Sequence, residues 1–336
     1  MNFIHNSIIT PLSPDKAMKT KLRFAFSFVV SAGLCSPQLR AQPLFSDNFD
    51  TDHTANWTVN ASAGTHPVNL FYDYGAIGIP SAPNSGGTTI GLRLQANTSG
   101  ATFGGVSVSP NGQSFTGDYQ VRFDMWLNYN GTLSGGGNGS TQVTGAGIGT
   151  AGASPQWAGG TQDSVHFGAT GDGGSTVDYR AYSSAAGVGY PDASPVFNAS
   201  GAGNRNNSHS YYVGFGGASA PAAQTALFPQ QTNSTAVGAQ GFVWRDVTIT
   251  KIGNSVAWAI DGLNIATVDL STVTLGGNNI LFNHYDINAT TSTDPNAPNL
   301  LFGLIDNVRV SVVPEPSTIG LGLLGAAGLL LARRRK

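Results

Sequence analysis

At 336 residues, with 45 Gly, 17 Pro and only 10% charged side chains, the chain is rich in turns and poor in the charged faces that surface helices present to water. Its formal net charge of -2 hides an uneven distribution: between Gln42 and Val313 seven Lys and Arg stand against sixteen acids, a net of -9, and a domain so charged repels nucleic acid and anionic lipid. All sixteen of those acids are Asp, so this segment contains no glutamate.

Residues 1–17 read as a start-site extension, because the basic region that opens an export signal begins at Met18. Met-Lys-Thr-Lys-Leu-Arg is followed by the apolar run Phe24–Leu34 and by Leu39-Arg40-Ala41, the order of a secretory signal peptide over 18–41 with cleavage after Ala41. The apolar run is too short to span ~30 Å of hydrocarbon as a permanent anchor. The sole cysteine, Cys35, leaves with this peptide. Disulfides, Cys-ligated metals and Cys nucleophiles are thereby excluded from the mature domain.

From Gln42 onward the periodicity is that of strands. Val121 to Tyr129 alternates Val121, Phe123, Met125, Leu127 and Tyr129 with Arg122, Asp124, Trp126 and Asn128, a strand with one apolar face. The segments 247–252, 255–260 and 263–268 are joined by Gly253-Asn254 and Asp261-Gly262, dipeptides that supply the positive φ of tight hairpins, so a three-stranded meander is expected. Further strands are expected at 91–96, 164–169, 177–182, 211–215 and 301–312. The Gly-, Ser- and Asn-rich stretches 131–152 and 183–210 read as loops. Neither a fixed repeat nor a domain boundary interrupts 42–313, which reads as one all-β, antiparallel sandwich between an N-terminal signal helix and a C-terminal hydrophobic helix.

The chain ends in three parts: Val313-Pro314-Glu315-Pro316, the fourteen apolar residues Ile319–Ala332, and Arg333-Arg334-Arg335-Lys336. Fourteen residues make ~21 Å of helix, which flanking Ser317, Thr318 and snorkelling arginines extend towards a membrane span. The basic end stays cytoplasmic and the β domain lies outside. The two prolines hold the intervening segment extended and accessible.

This tail, residues 314–336 with Val313, closely resembles the PEP-CTERM sorting signal of Gram-negative bacteria. The resemblance implies recognition by an exosortase-type membrane protease acting near Pro314, Glu315 and Pro316. It further implies a transient membrane anchor, and release or attachment at the cell surface where exopolysaccharide is made. Separately, the opening Leu44-Phe-Ser-Asp-Asn-Phe-Asp50 with Trp57, the central hairpins and the closing Phe302-Gly-Leu-Ile-Asp-Asn-Val-Arg-Val310 resemble the concanavalin A-like (laminin G-type) jelly rolls. That family implies a two-sheet sandwich in which first and last strands pair. Other carbohydrate-module sandwiches fit nearly as well.

Catalysis finds little support. Jelly-roll glycosidases of the laminarinase type need two glutamates ~5 Å apart, and the domain has none. The closest aspartate spacings, Asp50/Asp52 and Asp172/Asp178, lie in Gly- and Thr-rich turns and read as solvated turn residues. His53, His66, His166, His209 and His284 show no metal-ligand spacing and read as surface or capping residues. Two binding features remain. Asp306 falls in register with Phe302, Leu304, Val308 and Val310, which puts a carboxylate on an apolar face unless a bulge intervenes; calcium held with Asp47 or Asp50 would compensate it, as would backbone hydrogen bonds. For sugar stacking the candidates are Trp126, Trp157, Tyr72 and Tyr190, while Trp57, Trp244 and Trp258 read as core. The expected protein is non-enzymatic and associated with polysaccharide, the alternatives being an adhesive surface protein without a glycan ligand and, further off, a polysaccharide hydrolase.

Overall fold

The computed structural model of the chain describes residues 43–99, 103–129, 141–160, 162–199, 204–229, 231, 234–287 and 295–313, all within one unit that begins at Gln42. The start-site extension, the signal peptide with Cys35, the Pro314-Glu315-Pro316 motif, the apolar tail and Arg333, Arg334, Arg335 and Lys336 lie outside the described residues.

In chain order the strands are β1 (Pro43–Asp47), β2 (Trp57–Ala61), β3 (Val68–Asp73), β4 (Ile90–Leu94), β5 (Gly105–Pro110), β6 (Tyr119–Asn128) and β7 (Gln142–Thr150). There follow β8 (Val165–Thr170), β9 (Tyr179–Tyr182), β10 (Arg245–Ile252), β11 (Ser255–Ile260), β12 (Leu263–Asp269), β13 (Asn279–Asp286) and β14 (Phe302–Val312). Among the described residues there are also two short α-helices, α1 (Ala222–Leu227) and α2 (Ala297–Leu300), and several single 3-10 turns.

Every strand pair is antiparallel. One sheet of eight strands runs β12-β11-β10-β6-β14-β4-β3 with β1 on β14, and the other, of six, runs β2-β5-β13-β7-β8-β9. First and last strands pair, Phe45 opposite Val310 and Asp47 opposite Val308. The meander β10-β11-β12 turns where expected: Asp261 (φ 49°) and Gly262 (φ 79°) both adopt the left-handed conformation that a two-residue hairpin of matching twist requires.

The core lies between the sheets because each contributes one alternating apolar face. Val121, Phe123 and Met125 from β6 meet Ile280 and Phe282 from β13, with Phe123 edge-on to Phe282 at 5.0 Å between ring centroids. A second apolar cluster covers the outside of the large sheet, where Tyr74, Ile79, Trp126, Phe242, Phe302 and Leu304 pack beneath the 74–89 loop and the approach to β10.

Three expectations are corrected. Residues 211–215 form no strand; Val213–Phe215 is a 3-10 turn, and Tyr212 stacks on Tyr179 at 4.0 Å instead. The stretch 131–152 contains β7, whose glycines hide it from propensity but let it pack tightly: a Cβ on Gly147 would lie 2.5 Å from that of His166. Asp178 is no solvated turn residue but is buried, its carboxylate accepting from Thr170 Oγ1 and, at 2.9 Å, from the Asn207 N–H.

Candidate functional site

The large sheet carries its polar chemistry on the outer face of β10, β6 and β14. Alternation places Arg122, Asp124, Trp126 and Asn128 of β6 there, opposite the core-facing Val121, Phe123 and Met125. Register then aligns Asp246, Asp124 and Asp306 as direct neighbours across three strands. Like charges so opposed repel, and each must be compensated.

Asp246 takes the Arg122 guanidinium bidentately, Nε at 2.7 Å and Nη2 at 2.9 Å. Asp124 accepts from the Asn84 N–H (3.1 Å), Asn84 Nδ2 (2.8 Å) and Asn307 Nδ2 (2.8 Å). These bonds tie the 74–89 loop to the sheet. Asp306 accepts from Tyr74 Oη at 2.9 Å and from the Asn307 N–H at 2.7 Å. Burial, and behind it the charges of Asp124 and Asp50, push the Asp306 carboxyl up to about 7 against those two hydrogen bonds. Burial likewise raises Asp124 above the ordinary carboxylate range.

A bulge explains how Asp306 reaches this face. Asp306 pairs with Asp124 and Arg309 with Arg122, so Asn307 and Val308 together stand opposite Phe123, and Asn307 adopts φ 54°. The extra residue reverses the alternation. Phe302, Leu304 and Asp306 point outward, whereas Val308 and Val310 join the core between the sheets. The bulge that the sequence left open is present, so Asp306 does not share a face with Val308 and Val310.

Beside the bulge opens a cleft of about 490 Å³ whose polar lining includes Asp47, Asn48, His53, Asn84, Arg122 and Arg309. Sequence reasoning singled out none of its arginines or asparagines. The alternation of Arg122 with Asp124 was visible, but the partners come from distant loops.

The outer face of the six-stranded sheet is closed. Ser107, Asn283, Tyr285, His166 and Tyr182 occupy its outward positions, and the 151–164 loop lies across them. Gln156 donates its N–H to Ser107 Oγ (3.0 Å), accepts from Asn283 Nδ2 at its carbonyl (2.9 Å), and accepts from Ser164 Oγ at Oε1 (2.9 Å). His166 stacks on Tyr182 at 4.9 Å. His284 points the other way, into the sandwich, bonded to Thr144 Oγ1 (2.9 Å) and Gln142 Oε1. Both histidines are fully buried, which corrects their reading as surface residues, and burial pulls each down to about 3.

The sugar-stacking candidates divide. Trp126, at 1% exposure, is held between Trp244 and Phe242 with Nε1 donating to Asn128 Oδ1 at 3.0 Å. Trp157, at 7%, packs edge-on to Phe103, and a Cβ on Gly160 would come within 2.4 Å of its Nε1. Neither ring is open to a sugar; sequence alternation put Trp126 on the outer face but could not show that this face is covered. Tyr72 and Tyr190 are half-buried, Tyr72 under the Arg93 guanidinium at 4.2 Å and Tyr190 hydrogen-bonded to Ser183 at 2.7 Å.

The metal candidates divide too. Asp47 is occupied on both oxygens, by the Phe49 N–H (2.9 Å) and His53 Nδ1 (3.2 Å) on one and by Trp57 Nε1 (2.9 Å) on the other. Asp50 accepts from Asn48 Nδ2 at 2.5 Å, and its Oδ1 is buried without a partner. Among the described residues no group of three Asp or His side chains is gathered for a metal ion. Past the end of β14, Val313 donates its N–H to Asp118 O at 3.2 Å.

The fold is thus an antiparallel β-sandwich of jelly-roll type. Residues 312–336 match the PEP-CTERM protein-sorting motif, a signal for export through an exosortase system to the cell surface or extracellular space. No curated protein sequence matches the chain. Among solved structures it is similar to a protein of unknown function with galectin-like fold from Bacillus subtilis, at 10% identity and a TM-score of 0.42 over 81% of this chain and 97% of that one. It is similar also to the Bacillus licheniformis β-glucanase (13%, 0.39, over 82% and 100%) and to the Emp47p carbohydrate recognition domain (10%, 0.40, over 83% and 100%). Among the described residues no helix is long and apolar enough to cross a membrane; the apolar stretch 319–332 lies outside them.

Proposed function

We propose that the exported sandwich is a non-enzymatic domain that associates with polysaccharide at the cell surface. The observation that carries the reading is the outer face of the six-stranded sheet. Glycoside hydrolysis requires two carboxylates facing the sugar, about 5 Å apart for retention. The outward places are held instead by Ser107, Asn283, His166, Tyr182 and Tyr285, and the 151–164 loop covers them. Asp124 and Asp306, direct cross-strand neighbours, are buried and spend their oxygens on Asn84, Asn307 and Tyr74. Of the four stacking candidates, Tyr72 and Tyr190 keep part of a ring accessible. A glycan array probed with the full chain tests the reading, repeated with Tyr72→Ala and Tyr190→Ala. Binding to glycans that falls with either change supports it, and no binding leaves the purely adhesive role.

A structural calcium ion is part of the same proposal. The residues fit in part: Asp50 Oδ1 is buried without a protein partner and Asp306 is a buried carboxylate beside the charges of Asp124 and Asp50, but Asp306, like Asp47, already spends both oxygens on hydrogen bonds. Asp50 Oδ1 would hold the ion together with an oxygen of Asp306 released by Tyr74 or Asn307, and the ion would supply the positive charge this cluster lacks. Melting the protein with calcium and with chelator checks this: a higher midpoint in calcium is expected, and identical midpoints remove the ion.

A further inference from the structure

Seven cations serve the whole domain against sixteen carboxylates, yet two of them, Arg122 and Arg309, are direct cross-strand partners on β6 and β14. Guanidiniums opposed in register repel, and both reach solvent on the outer face of the large sheet. Arg309 donates its Nε to Ser311 Oγ at 3.0 Å; elsewhere Arg205 meets Asp192 at 2.6 Å, Arg245 meets Asp261 at 2.9 Å, and Arg93 covers Tyr72. Arg122 spends two of its N–H groups on Asp246 and retains others, since a guanidinium carries five. The pair faces the cleft of about 490 Å³, which also presents the amides of Asn48, Asn84 and Asn307. That volume lies within the roughly 300–1,000 Å³ typical of small-ligand sites. Asn307 and Val308 of the bulge line the cleft, and Asn84, which lines it too, is bonded to Asp124, so the site is built on sheet and clamped loop.

We propose that this cleft binds the carboxylate-bearing sugars of an acidic polysaccharide, an inference that rests on the polysaccharide reading above and names its ligand class. A guanidinium fork matches a carboxylate bidentately, and side-chain amides both donate to and accept from sugar hydroxyls. The one carboxylate among the lining residues, Asp47, spends both oxygens on Phe49, His53 and Trp57.

The test is affinity electrophoresis of the full chain in polygalacturonate, in its fully methyl-esterified form and in neutral dextran. Retention by polygalacturonate that weakens with added salt, with little retention by the ester, is the expected result. Arg309→Gln should weaken retention at least about tenfold and Arg309→Lys less, because lysine keeps the charge but loses the fork. Arg205→Gln, on another surface, should leave it unchanged. Equal retention by acid and ester, or an Arg309→Gln chain with wild-type melting and undiminished retention, overturns the inference. Retention by dextran alone also overturns it while leaving the polysaccharide reading intact, and retention by none of the three sinks both. The comparison of acid with ester uses the unmutated chain and so does not depend on any variant folding.

Discussion

Replacing Asp306 by Asn separates the charge of this side chain from its shape. The Asn307 N–H can still donate to the remaining oxygen, and the new amide can donate to Tyr74 Oη, whose proton turns to Thr88 O, already 3.2 Å away. The carboxyl of Asp306 is pushed up to about 7 in the fold from the ordinary aspartate value of 3.8. A group raised on folding contributes its full stability below the unfolded value and loses it as pH rises through the folded one. About three pKa units at 1.36 kcal/mol each give a penalty of about 4 kcal/mol for wild type above pH ~7. Urea denaturation of both chains in chelator, from pH ~4 to pH ~8, reads it out: the two should be nearly equal at the acid end, with the variant gaining up to about 4 kcal/mol at the alkaline end. Other titrating groups are common to both chains and cancel in the difference. A stability difference that stays constant with pH, or a wild type more stable than the variant at the alkaline end in chelator, refutes the reasoning.

His166, pulled down to about 3 by burial, acts in the opposite direction. The unfolded chain takes up the proton first, so stability falls as pH drops below ~6.5; His166→Phe, which keeps the stack on Tyr182, should recover up to about 4 kcal/mol by pH ~3 in acid melts. Trp126→Ala should cost about 3–5 kcal/mol in denaturant because it empties a buried site, whereas Tyr72→Ala should cost roughly 1 kcal/mol or less and change glycan binding instead. Changing Pro314, Glu315 and Pro316 to Ala should leave the precursor in the membrane fraction, read by fractionation and immunoblotting; undiminished surface delivery would remove exosortase recognition at this motif.

The legible part of the fold was the part encoded by local pattern. The β10-β11-β12 meander could be placed because Asp261-Gly262 demands a hairpin whatever surrounds it, and β6 because its alternation of apolar and polar residues is uninterrupted. Strand β7 was missed because Gln-Val-Thr-Gly-Ala-Gly-Ile-Gly-Thr has the composition of a loop; it is a strand because β8 and β13 pair with both its edges and need a thin neighbour. The segment 211–215 was over-read because aromatic residues favour strands only where a pairing partner is available.

The site followed the same division. That Asp306 would need compensation was visible from one carboxylate among apolar residues. The identity of its partners was not, because Tyr74 lies 232 positions away and the bulge that turns Asp306 outward depends on Asn307 adopting φ 54° between two paired strands. Trp126 was placed on the correct face, but only the 74–89 loop and Phe242 settle that this face is covered.

By itself the sequence determined the export address, the all-β class and the absence of glutamate and thiol from the domain, because these are properties of composition and of contiguous motifs. Only the tertiary structure decided which tryptophans are buried, that Asp246, Asp124 and Asp306 share one row, and that Arg122 meets Arg309 beside a cleft. Those are relations between strands far apart in the chain, fixed by register and by one extra residue in β14, and the period of a single strand carries no record of either.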